Sequence, residues 1–144
     1  MFKDSKAFAS YSIDDVAKAK AFYGDVLGID VAEVPGMEDL LDLHLSAGNK
    51  VMLYAKPDHQ PATFTVLNFP VEDVDKAVER LKGSGVRFEK YDTEDIKTDA
   101  KGVFRDEGMA IAWFKDPAGN ILSVMSGKVV EREAEFAGAR SAGA

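Results

Sequence analysis

An internal repeat is the feature of this sequence that most restricts its fold. The segment Ile13–Ala19 (IDDVAKA) aligns without gaps with Val71–Ala77 (VEDVDKA), and a similar order of strand-like and helix-like segments surrounds each copy. Each unit is predicted to have the order β-α-β-β-β. A single such unit would leave one face of its sheet bare, so the two units must share a core or wrap around a partner.

Hydrophobic periodicity gives the elements of the first unit. From residue 16 to residue 27 apolar side chains recur at steps of three and four, and Gly28 follows, which predicts a helix with a glycine cap at its end. Carboxylates at Asp14 and Asp15 are suited to capping the start of that helix. The predicted elements are a strand at 7–13, the helix at 16–27, and strands at 29–32, 41–45 and 51–55.

The second unit follows a connector at 57–62 that has a proline near each end. Its predicted elements are a strand at 63–71, a helix at 74–81, a strand at 86–91, a polar loop at 92–108, and a hairpin of 109–114 with 121–125. The predicted organisation is therefore a first module at 1–56, a second module at 63–127 and a C-terminal tail at 128–144. A helix over 129–140 and a frayed end are predicted for the tail.

Composition excludes several classes of function. The chain has no cysteine, which rules out disulfide scaffolding, thiolate nucleophiles and iron–sulfur clusters. Its net charge of −7 disfavours binding to nucleic acid or to an anionic membrane surface. No apolar run is long enough to span a bilayer, and a cytoplasmic protein is the expectation.

Two local motifs resemble those of a known superfamily. Residues 22–28 (FYGDVLG) resemble the FY-x-x-x-LG signature at the end of the first helix in glyoxalase and bleomycin-resistance proteins, and residues 116–120 (DPAGN) resemble the DP-x-GN turn before their last strand. With the repeat, the similarity to this vicinal-oxygen-chelate superfamily (glyoxalase, bleomycin resistance protein and dioxygenase) covers residues 6–126. The resemblance implies an α+β fold in which two βαβββ modules curl mixed sheets into a cleft, commonly within a homodimer.

The resemblance also locates the positions at which the superfamily's enzymes bind a metal ion. They place one ligand on the first strand and one on the last strand of each module, and the matching positions here are Phe8, Met52, Val66 and Ser123. A divalent ion needs several oxygen or nitrogen donors, whereas this set offers one hydroxyl and one thioether. The sequence therefore predicts no metal, no cofactor and no catalytic residue of the family type.

Side chains alternate between the two faces of a strand, so the residues that share a face with these four positions are predicted to line a ligand-binding cleft. Its predicted lining is aromatic, thioether and neutral polar, which suits a small, flat, partly apolar ligand: Phe8, Ser10, Met52, Tyr54, Phe64, Val66, Asn68, Phe104, Trp113, Ser123 and Met125. Ser12 falls on the same predicted face. The alternative is that the apolar members merely fill a packed core. Trp113 rather than Phe114 is predicted to face the cleft, and Phe104 either covers it or anchors the polar loop.

The two histidines offer little for acid–base chemistry. His44 shares a strand face with Asp42, and an exposed strand face is the preferred interpretation of both. His59 is predicted to be solvated, and Tyr54 to bind a ligand rather than transfer a proton.

Three functions follow from this pattern. The preferred hypothesis is a metal-independent protein that sequesters a small hydrophobic or aromatic compound, such as a natural-product antibiotic. The alternatives are a lyase, isomerase or dioxygenase-like enzyme with a non-standard site, and a dimerisation module without a ligand.

Overall fold

The computed structural model describes residues 1–127, so the predicted C-terminal helix lies outside the described residues. Contacts divide the described chain into two compact units. The first consists of Met1–Thr63 together with Asp116–Asn120, and the second of Phe64–Lys115 together with residues 121–127. Within residues 1–127 each unit contains one four-stranded mixed sheet and a helical segment, which confirms the predicted α+β class.

The first unit contains strands β1 to β4. Its elements are β1 (Ala9–Ile13), helix α1 (Val16–Lys20) continuing into a π-helix (Ala21–Val26), β2 (Asp30–Val34), β3 (Met37–His44) and β4 (Lys50–Ala55). The sheet order is β1-β4-β3-β2, in which β1 is parallel to β4 and the other pairs are antiparallel. Leu41, Leu43 and Leu53 are fully buried in its core.

The second unit repeats this order. Its elements are β5 (Thr65–Pro70), α2 (Val74–Gly83), β6 (Val103–Asp106), β7 (Met109–Lys115) and β8 (Ile121–Ser126), with the sheet order β5-β8-β7-β6. Helix α2 packs on β7 and β8 and buries Val74 and Val78. Phe114, Leu122 and Val124 are buried in the same core.

The helix starts follow the predicted carboxylates. The side chain of Asp15 accepts a hydrogen bond from the Lys18 amide at 3.0 Å, and Asp73 accepts one from the Lys76 amide at 3.1 Å. Each bond satisfies one of the amides that the first turn of a helix leaves unpaired. Asp15 and Asp73 occupy equivalent positions of the repeat, so the repeat extends to the capping chemistry.

One strand of the second unit was wrongly predicted. The segment 86–91 forms only an isolated bridge, between Phe88 and Phe114, whereas Val103–Asp106 inside the predicted polar loop forms the edge strand β6. Phe104 therefore lies in a strand rather than in a loop. An edge strand pairs on one side only, so charged residues such as Arg105 and Asp106 are compatible with it, and this composition hid the strand in the sequence.

Candidate functional site

The backbone register of the first sheet places Ser10, Met52 and Asp42 side by side on β1, β4 and β3. Directly opposed residues in a sheet point to the same face. Leu41 and Leu43, which alternate with Asp42, are fully buried on the opposite face. The residues that share the face of Met52 define the first candidate face: Ser10, Asp42, His44, Lys50, Met52 and Tyr54.

Charged groups on this first candidate face were not among the predicted site residues. The ammonium of Lys50 lies 4.2 Å from the centre of the Phe8 ring and 3.8 Å from a carboxylate oxygen of Asp42. His44 is paired with Lys50 in the register and is exposed. The strand face shared by Asp42 and His44 is thus the face of Met52. The sequence does contain a signal for this arrangement. Leucines alternate with Asp42 and His44 along β3, so the leucines face the helix and the polar residues face the other side of the sheet.

The second sheet contains an equivalent row of residues. Asn68 on β5, Ser123 on β8 and Trp113 on β7 are direct neighbours in the register. Ile111 and Met125 form the next row on the same face, and Phe104 is paired with Ile111. The second candidate face consists of Asn68, Phe104, Ile111, Trp113, Ser123 and Met125.

A β-bulge changes the predicted alternation on β5. The register shifts between Thr65 and Leu67, which leaves Val66 without a direct opposite residue. Such a bulge reverses the side-chain alternation along a strand. The simple alternation that assigned Phe64, Val66 and Asn68 to one face therefore does not hold, and Asn68 rather than Val66 is the neighbour of Ser123. The bulge also places Thr65 on the sheet face that carries Trp113. Thr65 was not among the cleft residues predicted from the sequence.

Aromatic and polar contacts fix Trp113 within the second unit. Its ring centre lies 5.4 Å from Tyr91 and 6.2 Å from Phe104, and its indole nitrogen donates to Thr65 Oγ1 at 3.2 Å. Burial, and secondarily the negative charge of Glu89, raises the pKa of the Tyr91 hydroxyl. The neighbouring Phe114 points to the opposite face, where its ring contacts Phe88 at 5.5 Å. Trp113 and Phe114 thus lie on different faces, as alternation predicts.

Exposure separates the predicted site residues into two groups. Ser123 is fully buried and Trp113 is only 9% exposed, whereas Phe8 is 50% and Phe64 67% exposed. Ser10 and Asn68 are exposed, and Met52, Tyr54, Val66, Phe104 and Met125 are half-buried. The packed-core interpretation therefore fits Ser123 and Trp113 but does not fit the two exposed phenylalanines.

The two sequence motifs meet in a buried hydrogen-bond network of the first unit. Tyr23 Oη donates to Asp116 Oδ2 at 2.7 Å, which joins the FY-x-x-x-LG motif to the DP-x-GN turn. Tyr11 Oη lies 2.7 Å from Tyr23 Oη. Because Tyr23 gives its proton to a carboxylate, Tyr11 is the donor to Tyr23. Asn120 Nδ2 donates to the Ser12 carbonyl at 2.8 Å and to Asp116 Oδ2 at 3.2 Å.

The prediction that His59 is solvated is wrong. The imidazole is half-buried, and its Nδ1 lies 2.7 Å from Ser12 Oγ while its Nε2 lies 2.9 Å from the Ala118 carbonyl oxygen. Since a carbonyl only accepts, Nε2 carries a proton and donates to Ala118. His59 thus connects β1 to the DP-x-GN turn inside the first unit, and the hydroxyl of Ser12 is engaged in this structural contact.

The residues predicted to occupy the family's metal-ligand positions do not fit a metal ion. Phe8 and Val66 carry no donor atom, Met52 offers a half-buried thioether, and the Ser123 hydroxyl donates to Asn68 Oδ1. Hard and borderline divalent ions require several oxygen or nitrogen ligands. Across residues 1–127, no three histidine, aspartate or glutamate side chains are grouped so that they could hold a metal ion.

A groove of about 810 Å³ lies elsewhere on the first unit, between its helical segment and β2. Its walls include Val16, Gly24 and Ile29, and the ion pair of Lys20 with Glu33, at 2.9 Å, lies in its lining. It contains none of the predicted site residues and is therefore separate from both candidate faces.

The sequence between residues 7 and 124 matches the model of the Glyoxalase/Bleomycin resistance protein/Dioxygenase superfamily, and the chain belongs to this superfamily. The resemblance noted from the motifs is thereby confirmed. No curated protein matches the chain. In the described part of the chain, no helix has the length and apolar character needed to cross a membrane.

Solved structures with this fold include proteins linked to antibiotics. The chain is similar to the genomically encoded fosfomycin resistance protein FosX from Listeria monocytogenes, with a TM-score of 0.65 and 17% identity over 90% of this chain and 95% of that one. It is also similar to TnmS3, an antibiotic binding protein from Streptomyces sp. CB03234, with a TM-score of 0.58 and 25% identity over 85% and 96% of the two chains. A glyoxalase family protein from Bacillus anthracis gives a TM-score of 0.63 at 17% identity, over 84% and 93%.

Proposed function

We propose that this protein is a metal-independent binding protein that sequesters a flat, partly apolar compound such as a natural-product antibiotic. The observation that carries the proposal is the replacement of the family's metal ligands by Phe8, Met52, Val66 and Ser123 in an otherwise intact superfamily fold. Side chains of these types have no means of activating water or polarising a substrate through a metal. Aromatic and thioether groups are suited instead to contacting a planar molecule.

Exposure of aromatic side chains supports this function. Phe8 and Phe64 expose about half and two thirds of their surfaces, so each presents an aromatic ring that a planar ligand could contact. The 25% identity to an antibiotic binding protein from Streptomyces is consistent with a ligand of this type. A cytoplasmic location and a homodimer are also part of the proposal. Light scattering of the purified protein tests whether it is a homodimer.

Titration with planar aromatic antibiotics is expected to give saturable binding, monitored by calorimetry and by the fluorescence of Trp113, the single tryptophan. Phe8→Ala and Phe64→Ala should each weaken binding by roughly threefold to tenfold, the usual range for one aromatic contact. Phe2→Ala is the matched control, because Phe2 is also an exposed phenylalanine but is not among the predicted cleft residues. No saturable signal across a broad panel, or an equal loss in the Phe2 variant, would contradict the proposal.

An enzyme with a non-standard site is the second candidate. The observation that favours it is the presence of Asp42, His44 and Lys50 on the same face as Met52, because such groups can transfer protons or bind an anionic substrate. Metal analysis of protein purified without chelators is expected to give less than one equivalent of nickel, zinc, iron or manganese. A stoichiometric amount of any of them would favour the enzyme and count against sequestration.

A further inference from the structure

On the second candidate face, the orientation of the Asn68 carboxamide is fixed by its neighbour Ser123. In the row Asn68–Ser123–Trp113, the fully buried Ser123 donates its hydroxyl proton to Asn68 Oδ1 at 2.5 Å. A buried hydroxyl proton without an acceptor is costly, and Asn68 Oδ1 is the acceptor that the structure provides. The serine therefore holds the carboxamide with Oδ1 towards the sheet and Nδ2 away from it.

The amide nitrogen of Asn68 is left available by this arrangement. Asn68 is exposed, and within residues 1–127 its Nδ2 makes no hydrogen bond. The other two donors of the row are already used, because Ser123 donates to Asn68 and the Trp113 indole donates to Thr65. Two N–H groups of Asn68 thus point away from the sheet beside apolar neighbours.

The surroundings of this donor are apolar and partly accessible. Met125, Ile111 and Phe104 occupy the adjacent row and are half-buried. Strands in a sheet lie about 4.8 Å apart, so Asn68 and Trp113, two strands apart, are separated by roughly 10 Å. A molecule of two or three fused rings has this length.

We propose that Asn68 selects, among flat apolar ligands, those that carry a carbonyl-type acceptor oxygen at the ring edge, such as a ring ketone, lactam or aromatic amide. This inference rests on the proposed sequestering function and names the ligand class for it. An acceptor on the ligand satisfies Nδ2, whereas a hydrocarbon of the same shape strips water from Nδ2 and offers nothing in return. The expected preference for the carbonyl compound is about tenfold, because a net hydrogen bond of this kind contributes up to that factor.

Matched ligand pairs test the inference. Fluorenone and fluorene, and likewise xanthone and xanthene, differ in one ring carbonyl and otherwise share their shape. The wild-type protein is expected to bind the carbonyl member of each pair about tenfold more tightly. Asn68→Asp keeps an acceptor for Ser123 but has no amide donor, so it should lose the preference while still binding fluorene. Ser123→Ala frees the carboxamide to rotate and should reduce the preference by a smaller factor.

The results of these experiments distinguish the role of Asn68 from the sequestering function on which it rests. Equal affinity of the wild-type protein for both members of a pair, or an unchanged preference in Asn68→Asp, overturns the role of Asn68 while leaving the sequestering function intact. Failure of the wild-type protein to bind any compound of the pairs or of the antibiotic panel overturns the function and the inference together. Circular dichroism and thermal unfolding of each variant confirm that the fold is retained before binding is compared.

Discussion

Replacing Asp116 with alanine is expected to lower the free energy of unfolding by about 4 kcal/mol, since buried donors that lose their acceptor each cost about 1 to 3 kcal/mol. The Asp116 side chain is 4% exposed and accepts hydrogen bonds from four donors: Tyr23 Oη, the amides of Ala118 and Asn120, and Asn120 Nδ2. Alanine would leave all four without this acceptor. Urea unfolding of wild-type and variant proteins under the same conditions measures the difference.

Asp99→Ala is the matched control for this prediction. Asp99 Oδ1 also accepts two backbone hydrogen bonds, from Lys101 at 2.9 Å and Val103 at 3.0 Å, but the residue is exposed. These donors lower the pKa of the Asp99 carboxyl, the bond from Val103 contributing most. Because water can replace an exposed acceptor, the loss should not exceed about 1 kcal/mol. Equal losses in the free energy of unfolding for Asp116→Ala and Asp99→Ala would show that the buried network adds no more stability than the hydrogen bonds of an exposed turn.

The fold was largely predictable because its signals are local and occur twice. The repeat, the carboxylates at Asp15 and Asp73 and the glycine after the first helix each act within a few residues, and all appear in the structure. The bond between Tyr23 and Asp116 is different, because it joins residues far apart in sequence. The motifs indicated the superfamily, but nothing in either motif alone indicates that one supplies the acceptor for the other.

The candidate faces were less predictable, for two physical reasons. A strand period of two gives only two possible faces, and the bulge at Val66 exchanges them near the start of β5. In the first unit, polar residues were taken to indicate an ordinary solvated face, although a strand face opposite a buried leucine row is also a surface that can contact a ligand. Asp42 and Lys50 were missed for this reason.

Alkaline pH is expected to destabilise the protein steeply, through the two tyrosines of the buried network. Burial raises the pKa of the Tyr23 hydroxyl far above its usual range, and the proximity of Tyr11 and the charge of Asp116 add to this. Burial also raises the pKa of Tyr11, although its hydrogen bond to Tyr23 acts in the opposite direction. Both hydroxyls stay protonated in the folded chain at a pH where an unfolded tyrosine, with a pKa of about 10, ionises.

The sign of the effect follows from proton binding. Above pH 10 these two tyrosines hold more protons in the folded state than in the unfolded state, so their contribution to the free energy of unfolding is constant below that pH and falls above it. Two such groups give a slope of about 2.7 kcal/mol per pH unit once the unfolded tyrosines are ionised. Denaturant unfolding between pH 9 and 12 measures the slope, and absorbance at 295 nm should show that the Tyr11 and Tyr23 hydroxyls ionise only on unfolding.

Tyr11→Phe isolates this contribution, because it removes one titrating hydroxyl and keeps the bond from Tyr23 to Asp116. The slope in the variant should fall by about 1.4 kcal/mol per pH unit, the value for a single group. Contributions of other groups are the same in both proteins and cancel in the difference. Parallel stability curves for wild-type and variant proteins above pH 10 would mean that the Tyr11 hydroxyl ionises in the folded chain as readily as in the unfolded one.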